Sequence, residues 1–83
     1  MTVGEAKGKA KSDGWCELTF GVYLITGKQV LNDTMVYRDT LCTDYIAKGY
    51  TVEDIIPDDL YIQTDGYFSS ADDDDIEKIL NNN

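Results

Sequence analysis

The sequence predicts an α+β domain: a small antiparallel sheet of three to four strands with a central short helix and a C-terminal helix. Three observations predict it. Residues 15–26 alternate in hydropathy with the two-residue period of a strand. Residues 39–48 and 70–80 set helix-capping signals around narrow apolar stripes. Eighty-three residues with 42% apolar content suffice for one core, though not for a large one. The organisation that follows is a flexible or weakly helical basic arm over residues 1–14, a single α+β domain over 15–80, and a frayed tail over 81–83.

The arm begins well for a helix. Thr2 and Glu5 stand at capping-box spacing. Gly4 and Gly8 oppose it, at about 1 kcal/mol each in a helix interior, and the segment has almost no large apolar side chain. Ser12-Asp13-Gly14 is a turn signal. In the strand that follows, Cys16, Leu18, Phe20, Val22 and Leu24 form one face, and Glu17, Thr19, Gly21, Tyr23 and Ile25 the other. Two pairings compete for the next segment. In the preferred one the chain turns at Thr26-Gly27-Lys28 and a second strand runs through a bulge at Asn32-Asp33 to Tyr37. In the other, one long strand turns at Asn32-Asp33.

The central helix, 39–48, is capped by Asp39 or Thr40, turns Leu41, Cys42, Tyr45 and Ile46 to one side, and ends at Lys48-Gly49. Residues 50–56 fit either a third strand or one short helical turn starting near Thr51, and Pro57 ends both. Leu60 to Thr64 read as the last strand, and Asp65-Gly66 turns Tyr67-Phe68 back to the core. In the final helix, Ser69 or Ser70 is the expected cap, Asp72 to Asp75 oppose the helix dipole, and Ile76, Ile79 and Leu80 face inward.

Charge is divided unevenly along the chain. Residues 1–48 hold six acids and six bases, whereas residues 49–83 hold ten acids and one base, so the net charge of −9 lies entirely in the second part. Such a field repels nucleic acid and anionic membranes and attracts basic protein surfaces. Lys7, Lys9 and Lys11 are the one basic cluster, read as a solvated tail. The chain has no histidine, and neither Cys16 nor Cys42 has a visible base, so the expectation is no enzyme. Four consecutive aspartates lack the alternating ligands, glycine and terminal glutamate of a calcium loop, so no metal and no cofactor is expected. Both cysteines are expected as thiols. There is no apolar run long enough to span a membrane and no signal-peptide pattern at the N-terminus, so a cytoplasmic location is expected.

The acids are instead read as a partner-binding surface made by Glu53, Asp54, Asp58, Asp59, Asp65, Asp72, Asp73, Asp74, Asp75 and Glu77, with Tyr61 and Tyr67 as apolar anchors. The expected partner is a basic nucleic-acid-binding protein, with no direct nucleic-acid contact and no membrane, and the chain is a monomer or homodimer. The opening Met1-Thr2-Val3-Gly4-Glu5-Ala6-Lys7 resembles the start of small phage and prophage proteins of Gram-positive anaerobes. Size, acidity and lack of catalytic residues are similar to those of phage-encoded inhibitors of host defence, of the anti-CRISPR and anti-restriction type. That resemblance implies DNA mimicry against a CRISPR effector or a restriction enzyme in the host bacterial cytoplasm. It assigns no individual residue. The alternatives are a small phage structural or assembly protein, and an antitoxin-like partner of a basic protein.

Overall fold

A computed structural model describes residues 1–36, 52–64 and 67–81, and the first of these segments opens with a helix. Helix α1 spans Val3–Asp13. The Glu5 N–H donates to Thr2 Oγ1 at 3.1 Å and the Thr2 N–H donates to Glu5 Oε1 at 3.0 Å, a reciprocal capping box. Hydrogen bonds from the Thr2 backbone and then its side chain hold the Glu5 carboxyl below its ordinary value of 4.5. Gly14 closes the helix in the left-handed region at φ 91°, its N–H donating to the Ala10 carbonyl at 2.7 Å. This helix is not a solvated arm. Ala6 and Ala10 are completely buried, and Val3 packs beside them. Methyl side chains let the helix backbone approach the sheet closely, so the inward face needs no large apolar residue, while Gly4 and Gly8 stay outside.

Strands β1 (Trp15–Thr19) and β2 (Val22–Thr26) form a hairpin. Thr19 pairs with Val22, so the chain reverses at Phe20-Gly21, with an irregularity between Glu17 and Thr19. Neither turn expected from the sequence, at 26–28 or at Asn32-Asp33, is present. The apolar alternation runs through the reversal because Phe20 imitates a strand residue, yet it is 97% exposed at the apex. Gly21, at φ 77°, takes the left-handed conformation that the reversal requires. The chain then enters helix α2, Gly27–Val36, where the sequence suggested a second strand.

After a 3₁₀ turn at Val52–Asp54, strands β3 (Leu60–Thr64) and β4 (Tyr67–Ser70) complete a four-stranded antiparallel sheet in the order β1-β2-β3-β4. The α+β class therefore holds, with β3 at the expected residues. The expected 39–48 helix lies outside the described residues, as do Cys42, Asp65 and the last two asparagines. Helix α3, Asp73–Asn81, starts later than expected because Ser69 and Ser70 belong to β4.

Both faces of the sheet are covered. On one, Cys16, Leu24 and Ile62 align across three strands beneath α1 and α3, with Leu18, Leu60 and Ile76. On the other, Ile25 and Tyr61 align, and Phe68 packs with Val30 of α2 and with Ile55. Each such large side chain contributes about 1.5–3 kcal/mol by leaving water. Cys16 is a buried free thiol.

One close approach joins the 56–59 turn to this framework. The Gly27 N–H donates to the Asp59 carbonyl at 2.8 Å, and the Lys28 N–H to the Pro57 carbonyl at 3.0 Å. Thr26 Oγ1 accepts the Gln29 N–H at 3.3 Å. The first three amides of α2, which no helix satisfies internally, are thereby paired. A methyl group at Gly27 would overlap the carbonyl oxygen of Ile56 and lie 2.7 Å from its carbonyl carbon. Gly27→Ala is therefore expected to destabilise the protein by about 1–3 kcal/mol despite the better helix propensity of alanine. Gly8→Ala, where the added methyl meets nothing within 4 Å, is expected to stabilise by up to about 1 kcal/mol. Urea unfolding midpoints of the two variants decide both outcomes.

Candidate protein-interaction surface

Antiparallel pairing decides where the acids go. Tyr61 pairs with Ser70, and the Ala71 N–H donates to the Leu60 carbonyl at 3.1 Å. The start of β3 and the end of β4 therefore share one end of the sheet. Asp58 and Asp59 precede β3, and Asp72 to Asp75 follow β4, so residues 14 apart in sequence converge there. All are exposed except Asp75, which is half-buried. Glu53 and Asp54 are exposed on the 3₁₀ turn, and Glu77 is exposed on the second turn of α3.

The bases of α1 enter the same region. Lys7 Nζ lies 2.9 Å from Asp73 Oδ1, the two side chains 35% and 70% exposed. In that setting the pair contributes about 0.2–1 kcal/mol, but it neutralises Asp73 locally. Lys7 and Lys11 line an open groove of about 280 Å³ together with Asp58, Asp59, Ser70 and Ala71. A larger groove of about 600 Å³ continues past Lys11 and Asp58 to Lys28 and Asn32. The division of charge along the chain is thus not a division in space, since lysines from the neutral part sit among the aspartates of the acidic one.

The acids also divide by role. Asp72 caps α3, its Oδ1 accepting the Asp75 N–H at 2.8 Å and its carbonyl accepting the Ile76 N–H at 3.1 Å. This is the position the sequence assigned to Ser69 or Ser70. Asp73 holds Lys7. Asp58, Asp59, Asp74 and Glu77 remain as exposed charge with no cap or ion pair among the described residues to explain them.

The expected aromatic anchors fare differently. Tyr61 is 3% exposed, and its hydroxyl accepts the Ile56 N–H at 2.9 Å. It is a core residue that supports the turn, not an anchor for a partner. β3 is covered on both faces, so its tyrosine points into the second core instead of into solvent. Tyr67 opens β4. Among the described residues of the acidic segment, the large apolar side chain exposed is Ile56, at 53%. Its signal in the sequence was the Ile55-Ile56-Pro57 run, where adjacent side chains in an extended segment must face opposite ways and only Ile55, 6% exposed, goes inward.

Among the described residues no three carboxylate or thiol side chains are placed to hold a metal ion together. No described helix is long and apolar enough to cross a membrane.

The division among the aspartates is open to measurement. Asp72→Ala is expected to cost about 1 kcal/mol through loss of the cap, and Asp74→Ala to stay within about 0.5 kcal/mol of the parent. Equal losses in thermal or urea unfolding would contradict the assignment.

No protein-family model matches the chain, and no curated protein or solved structure is found to resemble it, so the surface stands on its own residues.

Proposed function

We propose that this chain is a non-enzymatic acidic inhibitor that occupies a basic nucleic-acid-binding surface of a host-defence protein, in the manner of a DNA mimic. The observation that carries it is the convergence of Asp58, Asp59 and Asp72 to Asp75 at one end of the sheet. Carboxylates on a turn and on the adjoining helix start offer a partner several negative charges within a small area. Residues a helical turn apart, such as Asp74 and Glu77, have Cβ atoms about 5–6 Å from each other. A groove built to neutralise phosphates meets the same sign of charge here. The rigid support matters too, because charges carried on a packed turn and a capped helix are ordered before the partner arrives.

Long-range attraction of this kind raises the encounter rate and fades with salt, over a screening length of about 10 Å at 0.1 M. The immobilised protein is therefore expected to capture a basic nucleic-acid-binding protein from bacterial lysate at low salt and to release it at high salt or on addition of duplex DNA. The variant Asp58→Lys, Asp59→Lys, Asp74→Lys spares the Asp72 cap and the Lys7–Asp73 pair, so it is expected to keep the fold and lose the capture. Capture that survives this triple reversal, or that duplex DNA fails to compete, would overturn the proposal.

A further inference from the structure

Large apolar side chains exposed among the described residues are Met1, Trp15, Phe20 and Ile56. Trp15 leans edge-on against Tyr23, ring centroids 5.8 Å apart, and Phe20 sits at the hairpin apex, at the sheet end away from Asp58, Asp59 and Asp72 to Asp75. Ile56 differs from all of these. It stands between Glu53-Asp54 and Asp58-Asp59, and its backbone is fixed on both sides. Its N–H donates to the Tyr61 hydroxyl at 2.9 Å, and its carbonyl accepts the Asp59 N–H at 3.1 Å. Pro57 further restricts its backbone to extended conformations. Neither hydrogen bond involves the side chain, which is left half in water on a pinned support.

We infer that Ile56 is the apolar anchor of the acidic surface, and that its partner presents an apolar pocket rimmed by lysine or arginine side chains. This inference rests on the function proposed above and adds to it the residue that gives the contact its specificity. Charge alone binds any polycation. A fixed apolar knob flanked along the chain by exposed carboxylates selects one basic surface over another, because only a partner with a matching pocket buries the knob while its rim meets the acids. The occupant is not a second copy. One half-exposed isoleucine is a small part of the roughly 800 Å² that each side of a stable interface buries, and the acids that flank it in the chain, Glu53, Asp54, Asp58 and Asp59, would repel those of a second copy. An anionic lipid surface is opposed by the same charge.

The test uses Ile56→Ala and, as control, Phe20→Ala. Two probes are used: the protein recovered in the low-salt capture, purified, and polylysine, which offers charge without a pocket. Ile56→Ala is expected to weaken binding of the recovered protein by about tenfold or more and to leave polylysine binding unchanged, which also shows that the acidic surface is intact. Phe20→Ala is expected to bind both probes as the parent does. Parental affinity of Ile56→Ala for the recovered protein would overturn the inference, as would an equal loss in Phe20→Ala. If the triple lysine reversal still abolishes capture in that case, the inhibitor function stands and the anchor alone is wrong.

Discussion

The absence of a side chain at Gly27 is the constraint on which the arrangement of this protein depends. Without a Cβ there, the carbonyl of Ile56 can lie against the start of α2, and the turn behind it can satisfy the helix's first amides. That contact does three things together. It caps α2 with backbone carbonyls from residues far along the chain. It carries Ile55 into the second core beside Tyr61 and Phe68. It also fixes the direction in which Asp58 and Asp59 leave the framework on their way into β3. An alanine at this position would favour the helix locally and oppose the fold globally, and steric overlap with backbone outweighs a propensity gain of about 1 kcal/mol.

The electrostatic plan follows from topology more than from composition. A hairpin of β3 and β4 returns the chain to the place where it started, so acids on either side of it meet. Helix α1 packs on the same face of the sheet as α3 and brings Lys7 and Lys11 among them. The result is a negative surface with cations set into it, whose working charge is smaller than the sequence total. Some of the aspartates serve the scaffold, since Asp72 orders α3 and Asp73 ties α3 to α1. The proposed contact with a basic partner falls to the carboxylates left over.

Much of this was legible from residue patterns. The capping box at Thr2 and Glu5, the glycine stop at Gly14, the strand from Leu60 and the apolar stripe Ile76, Ile79, Leu80 all combine a local signal with a local cause. What was not legible depended on partners distant in sequence. The burial of α1 rests on two alanines, whose smallness counts only once a sheet lies beneath them. The hairpin at Phe20-Gly21 hid inside an unbroken alternation, because an exposed phenylalanine at a turn looks like the next strand residue. Gly27 read as a turn residue, since its reason for being glycine is a carbonyl some thirty positions away. Tyr61 reads as an interface anchor from its acidic neighbourhood in the chain, whereas the second layer of helix and turn encloses it. The acidic surface was visible as composition, but its division into capping, paired and exposed carboxylates required the fold.

The central claim is that the 55–59 segment is part of the folded framework, held through Gly27, and not a loop resting on it. Amide hydrogen exchange followed by NMR tests this directly, at the Gly27 and Lys28 amides whose acceptors are Asp59 and Pro57. The account predicts that both exchange only as slowly as the paired amides of β2 and β3, through opening of the whole structure. Fast exchange at these two positions, with the β2–β3 amides still protected, would contradict it.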